Sequence, residues 1–117
     1  SPGTLGVNGN VTLQAGSTTR FEVTASGPSD LILATGSAAL GGTAALTNLG
    51  GTYAFGSEIV LMQADGGRTG TFAGTTGAEG FGILYRPELV YTGTQVRLRM
   101  AANLMGNIAG NTALTAN

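Results

Sequence analysis

The residues of this chain best able to move protons are six carboxylates: Glu22, Asp30, Glu58, Asp65, Glu79 and Glu88. Two carboxyl groups held roughly 5–10 Å apart can cleave a glycosidic bond, one as acid and one as base or nucleophile. Nothing in the spacing pairs them. Asp30 and Asp65 stand in turn contexts, where an Asp side chain bonds nearby backbone N–H groups. Glu22 and Glu58 fall on the polar side or at the start of apolar-polar runs. The residues therefore read as structural, and no catalytic residue is expected.

Other chemistries fall by composition. The 117 residues include no His and no Cys, so zinc, haem and iron–sulfur ligation by those types is excluded, with disulfides and Ser-His or Cys-His nucleophiles. No Lys is present to build a phosphate-binding P-loop, and no Ser lies in a Gly-x-Ser-x-Gly setting. Five Arg and a net charge of −1 leave no nucleic-acid footprint. The segment Asp65-Gly66-Gly67-Arg68-Thr69-Gly70 resembles a single calcium-binding Gly/Asp unit. One copy offers too few oxygens for a 6–8-ligand ion, so a hairpin turn is expected there and no metal or cofactor.

What the composition favours is small and turn-forming residues, with 21 Gly and only 9% charged residues. Short β-type runs end repeatedly at Gly. Val11–Ala15 stops at Gly16, Thr19–Ala25 at Gly27, Leu31–Ala34 at Gly36, and Ala38–Leu40 at Gly41-Gly42. Thr43–Thr47 stops before Gly50-Gly51, Thr52–Phe55 at Gly56, and Glu58–Ala64 at Asp65-Gly66. This rhythm is tighter than the roughly 8–12 residues per strand and turn of a sandwich. It predicts an all-β solenoid of parallel strands with glycine at sharp corners. The run Ile59-Val60-Leu61-Met62 breaks alternation, so both its faces should be covered or one should face a partner.

From residue 70 the pattern changes. Gly70-Thr71-Phe72, Phe81–Tyr85, Glu88–Tyr91 and Gln95–Met100 read as a hairpin lid on the end of the stack. Phe81, Leu84 and Tyr85 are expected on the outer side of Ile59–Met62, and Pro87 at an edge or bend. Val96, Leu98 and Met100 should point inward, with Arg97 and Arg99 outward and within reach of Glu88. The division expected is strand coils over 1–69, a hairpin cap over 70–100 and a tail over 101–117. In that tail Leu104, Met105, Ile108 and Ala109 fall at helical spacing, weakened by Gly106 and Gly110.

The ordered series of segments resembles one family. It runs through Leu13-Gln14-Ala15-Gly16-Ser17-Thr18, Phe21-Glu22-Val23, Ser29-Asp30-Leu31 and Thr35-Gly36-Ser37-Ala38-Ala39-Leu40-Gly41-Gly42-Thr43. It continues with Leu61-Met62-Gln63-Ala64-Asp65-Gly66-Gly67, Gly70-Thr71-Phe72, Leu89-Val90-Tyr91 and Val96-Arg97-Leu98. Together these cover roughly residues 3–100. They are similar to the carboxy-terminal junction, or autochaperone, region of Gram-negative autotransporter passenger domains. The arginines at 97 and 99 stand where uncharged residues are commoner in that family.

The resemblance implies a right-handed parallel β-helix ending in a β-hairpin cap. It implies a non-enzymatic folding and capping module at the cell surface, serving type V secretion across the outer membrane. Its capping core would be Phe72, Leu84, Leu89, Tyr91, Val96 and Leu98. Its partners would be upstream coils of the same chain and the outer-membrane β-barrel translocator of the same precursor, with the tail leading toward the barrel. The Ser1-Pro2-Gly3 start fits a segment of such a longer chain, whose open edge could also self-associate edge to edge. An adhesin stem that binds host or neighbouring-cell surfaces is the alternative, and a carbohydrate-active enzyme ranks below it.

Overall fold

The computed structural model describes residues 3–25 and 28–102. Over these residues the chain is all-β, with eleven strands and one 3-10 turn. In order they are β1 (Thr4–Val7), β2 (Val11–Thr12), β3 (Thr18–Val23), β4 (Leu31–Ala34), β5 (Ala38–Ala39) and β6 (Thr43–Asn48). Then come β7 (Glu58–Ala64), β8 (Arg68–Thr69), β9 (Gly74–Thr76), the 3-10 turn (Ala78–Phe81), β10 (Tyr85–Tyr91) and β11 (Gln95–Ala102).

Each of the first six strands pairs in parallel with the strand three places on. One sheet holds β1, β4 and β7, a second β2, β5 and β8, and a third β3, β6 and β9. The chain thus repeats one three-strand cycle three times. The first sheet is mixed, because β11 adds antiparallel to β7 and β10 adds antiparallel to β11.

Alternation in the strands builds the core. In β3, Phe21 and Val23 are fully buried while Thr18 and Arg20 face solvent. Phe21 stands opposite Leu46 in β6, and its ring meets Phe72 edge-on at 6.2 Å. Ile32 of β4 aligns with Met62 of β7, and Ala34 with Ala64, all of them buried.

Between the first two strands of each cycle the chain turns a corner where backbone lies directly on backbone. Gly36 N–H donates to Gly9 O and Gly66 N–H to Gly36 O, both at 2.8 Å. A Cβ on Gly66 would sit 2.8 Å from the Gly36 carbonyl carbon, and one on Gly36 the same distance from Gly9. No side chain fits there. The Asp65-Gly66-Gly67 turn is therefore one of these corners, joining β7 to β8 of a different sheet, and not a hairpin turn.

The apolar run in β7 has a different cause from the two-sided burial the sequence suggested. Val96 of β11 stands opposite Met62, but Arg97 stands opposite Val60, so Leu61 is an extra residue. This β-bulge resets the alternation and turns both Leu61 and Met62 inward, at 0% and 1% exposure. The hairpin meets β7 along its edge, not across its outer face.

Other expectations shift with the strand boundaries. Thr52–Phe55 is an irregular connection whose Tyr53 is buried, and β9 forms where a loop was expected. Because β9 pairs with β6, the strand cycle runs past residue 69 to Thr76. Ala101 and Ala102 belong to β11, and the rest of the expected tail, 103–117, lies outside the described residues. No helix among the described residues is long and apolar enough to cross a membrane.

The corner stacking gives a direct test. Gly66→Ala should lower stability by about 1–3 kcal/mol in urea unfolding, because backbone must move to admit the methyl. Gly74→Ala, in β9 with nothing within 4 Å of its Cβ position, should change stability by less than about 0.5 kcal/mol. Equal effects would contradict the close corner contact.

Candidate functional site

The strand cycles leave two ends, and the chain treats them differently. At the carboxy-terminal end the hairpin closes the edge. Gly56 N–H donates to Met100 O at 2.7 Å, and Met100 N–H donates to Ser57 O at 2.9 Å. Near the hairpin turn, Ala64 N–H donates to Thr94 O and Arg68 N–H to Gly93 O, each at 2.8 Å. The sheet edges of β7 and the start of β8 are thereby occupied.

Arg68 seals the floor beside them. It aligns with the fully buried Ala38 of the cycle above, yet carries a long cationic side chain. Its Nε donates to Thr92 O at 2.8 Å, its Nη1 to Gly70 O, and its guanidinium lies 4.9 Å from the Tyr91 ring centroid. Tyr91 Oη in turn accepts the Phe72 N–H at 3.1 Å. One cation thus ties β8, the hairpin turn and Tyr91 together.

Of the six expected capping residues, Val96 and Leu98 are fully buried and Phe72 nearly so. Leu89 and Tyr91 are half-buried against the same core. Leu84 is a correction, since its side chain is 50% exposed and does not join the core. It lies next to the start of β10, whose first residue, Tyr85, packs instead with Tyr53 and Phe55. The aromatic group of Tyr53, Phe81, Tyr85 and Phe55 forms a second closure that the sequence did not reveal.

Asn48 anchors that closure. Its Oδ1 accepts from Tyr53 Oη at 2.8 Å and Gly50 N–H at 3.0 Å, while its Nδ2 donates to Gly80 O at 3.1 Å. Tyr85 Oη donates to Tyr53 O at 2.6 Å. Burial pushes the Tyr53 phenol above its ordinary value of 10.0.

Four of the six carboxylates, Asp30, Glu58, Asp65 and Glu88, take structural partners. Glu58 pairs with Arg97 at 3.1 Å, and Glu88 pairs with Arg99 and, at 3.6 Å, with Arg86. Arg99 thus reaches Glu88 as the sequence suggested, whereas Arg97 turns to the other neighbour. Asp30 accepts the backbone N–H groups of Gly3 and Glu22, both at 2.8 Å. Asp65 accepts from Gln63 Nε2 at 3.3 Å. Among the described residues no group of three or more His, Cys, Asp or Glu could hold a metal ion.

The amino-terminal end is built in the opposite sense. Gly3 O and Val7 O accept from Leu31 and Thr35 N–H, so strand alternation turns the peptide groups of Thr4 and Gly6 away from β4. Val11 and Leu13 donate to Ser37 O and Ala39 O, which leaves Thr12 pointing away from β5. In β3 the carbonyls of Ser17 and Val23 serve β6, and Thr18, Arg20 and Glu22 point the other way. The Glu22 peptide is met there by Asp30, whose N–H donates to Glu22 O and whose carboxylate accepts the Glu22 N–H. Leu5, aligned with the buried Ile32, is 59% exposed.

No protein-family model matches the chain, and no curated protein sequence matches it either.

Two outcomes follow. Arg68→Ala should cost about 1–3 kcal/mol in thermal or urea unfolding, with Arg68→Lys recovering only part, since an ammonium cannot span both carbonyls and the ring. In an alkaline titration followed by tyrosinate absorbance, Tyr53 should ionise above its ordinary value of 10.0, and Tyr53→Phe should remove that step. The neutral phenol is the form the fold favours. Its contribution is therefore intact below pH 10, where folded and unfolded chains are both protonated. It is lost as pH rises from 10 through the raised folded-state value. A Tyr53 that ionises at its ordinary value would contradict its burial.

Proposed function

We propose that this chain is the closing segment of a right-handed parallel β-helix, and that it acts as a non-enzymatic folding and capping module. The strand cycle that repeats three times in parallel supports the solenoid reading. So do the corners where glycine backbones stack. The observation that carries the functional reading is the asymmetry of the ends. One end is sealed by the β10–β11 hairpin, Arg68 and the Tyr53 cluster, while the other presents outward peptide groups and an exposed Leu5.

A repeating stack is stabilised mainly by contacts between neighbouring cycles, so its first cycle forms at a disadvantage. A segment that is already closed at one end removes that disadvantage for the next cycle. Strands arriving from the amino-terminal side can add to β1, β2 and the first part of β3 by pairing with the outward peptide groups of Thr4, Gly6, Thr12, Thr18 and Arg20. This is the part expected of an autotransporter junction region. Such a segment would template its passenger at the cell surface once the chain emerges through the outer-membrane barrel.

The hairpin is the part to remove. In a precursor that carries this segment between upstream coils and a barrel, deleting residues 70–100 should leave the surface-displayed passenger sensitive to added protease. Leu98→Ala, which empties a fully buried position at a cost of about 2–5 kcal/mol, should give a milder form of the same defect. A passenger as resistant as the intact one in both cases would overturn the reading.

A further inference from the structure

We infer that this chain pairs through its amino-terminal face with a second copy of itself and that the assembly stops at two. The inference rests on reading that face as a docking edge, and it goes further by fixing the geometry and the limit of self-association.

The two outer edges of the large sheet differ in what they allow. At β10, Thr92 N–H donates to Gln95 O of the β11 side, and Tyr85 N–H points back to Gly82 O. Alternation then sets Arg86, Glu88 and Val90 toward β11 and Pro87 toward the free side. Proline removes the donor an incoming strand would need, and charged Arg86 and Glu88 flank it. These are the devices by which natural edges refuse a partner.

At β1 no such device exists. Its sequence, Thr-Leu-Gly-Val, holds no charge and no proline, and its outward peptide groups belong to Thr4 and Gly6. These two positions are symmetric about Leu5. A second β1 running antiparallel, with the two-fold axis at Leu5, would set Thr4 against Gly6 of the other copy and Gly6 against its Thr4. Each such pair can exchange two N–H···O bonds. Leu5 would face its own counterpart on the core side, covering a side chain that is 59% exposed in the single chain.

A head-to-tail contact would be heterologous and would propagate into a fibre. The hairpin and Pro87 deny it the complementary end. The head-to-head contact is isologous and uses up both open faces, so it closes.

Sedimentation velocity over a range of concentrations tests this directly. The wild-type chain should pass from monomer to dimer and no further. Gly6→Pro deletes an outward donor while leaving the β4 side of β1 intact. It should keep the thermal midpoint near wild type and weaken the dimer by about tenfold or more. Leu5→Arg, which leaves the backbone unaltered, should do the same and serves if the proline disturbs β1. A wild-type chain that stays monomeric at all concentrations overturns the dimer, as does growth beyond two or a dimer that both variants leave intact. A monomer paired with a protease-sensitive hairpin deletion would sink the dimer alone and spare the templating reading.

Discussion

A stack of parallel strands must deal with its two terminal edges, and that constraint organises this molecule. Inside the stack each strand has a neighbour above and below, and its peptide groups are met. At an end the same groups face outward in a row, with the apolar floor of the last cycle beside them. Leaving both ends bare invites disordered pairing with any passing strand. Among the described residues this chain covers the β7 edge and the start of β8 at one end and turns the peptide groups of Thr4 and Gly6 outward at the other.

The closure draws on several kinds of interaction of unequal weight. Val96, Leu98 and Met100 are each fully buried under the last cycle, where a large apolar side chain contributes roughly 1.5–3 kcal/mol. The ion pairs of Arg97 with Glu58 and Arg99 with Glu88 are partly exposed and contribute at most about 1 kcal/mol each. The hairpin is thus held chiefly by its apolar face and its ladder, with the ion pairs a minor addition. Arg68 differs from those surface arginines. It fills a position that is alanine in the cycle above, and it satisfies two carbonyls and an aromatic face at once.

Much of this was legible in the residues, for identifiable reasons. Strands such as Thr18–Val23 and Gln95–Ala102 alternate cleanly, so their inward faces could be read directly. Pro87 was placed at an edge because it cannot donate to a ladder, and it sits in the outermost strand. Leu61 and Met62 were not legible, because a bulge is set by where β11 pairs and leaves no mark in a run of four apolar residues. Leu84 looked as apolar as Leu89, and only the path of the chain between the 3-10 turn and β10 sets it outside. Tyr53 and Asn48 were missed for a related reason. The partners that tie this pair to the later chain lie 32 residues away, at Tyr85 and Gly80, beyond the reach of any local pattern.

The hairpin seal on β7 is integral to the fold and not an appendage. Native-state hydrogen exchange at single-amide resolution measures this most directly. The amides of Ala64, Arg68 and Met100, which bond across to the hairpin or from it, should exchange only through global unfolding, as slowly as those of Thr43 and Leu49 between β3 and β6. In the dilute monomer the Thr4 and Gly6 amides, which point away from β4, should exchange far faster. If the hairpin amides instead exchanged through a local opening while the parallel strands stayed protected, the seal would not be what holds the stack.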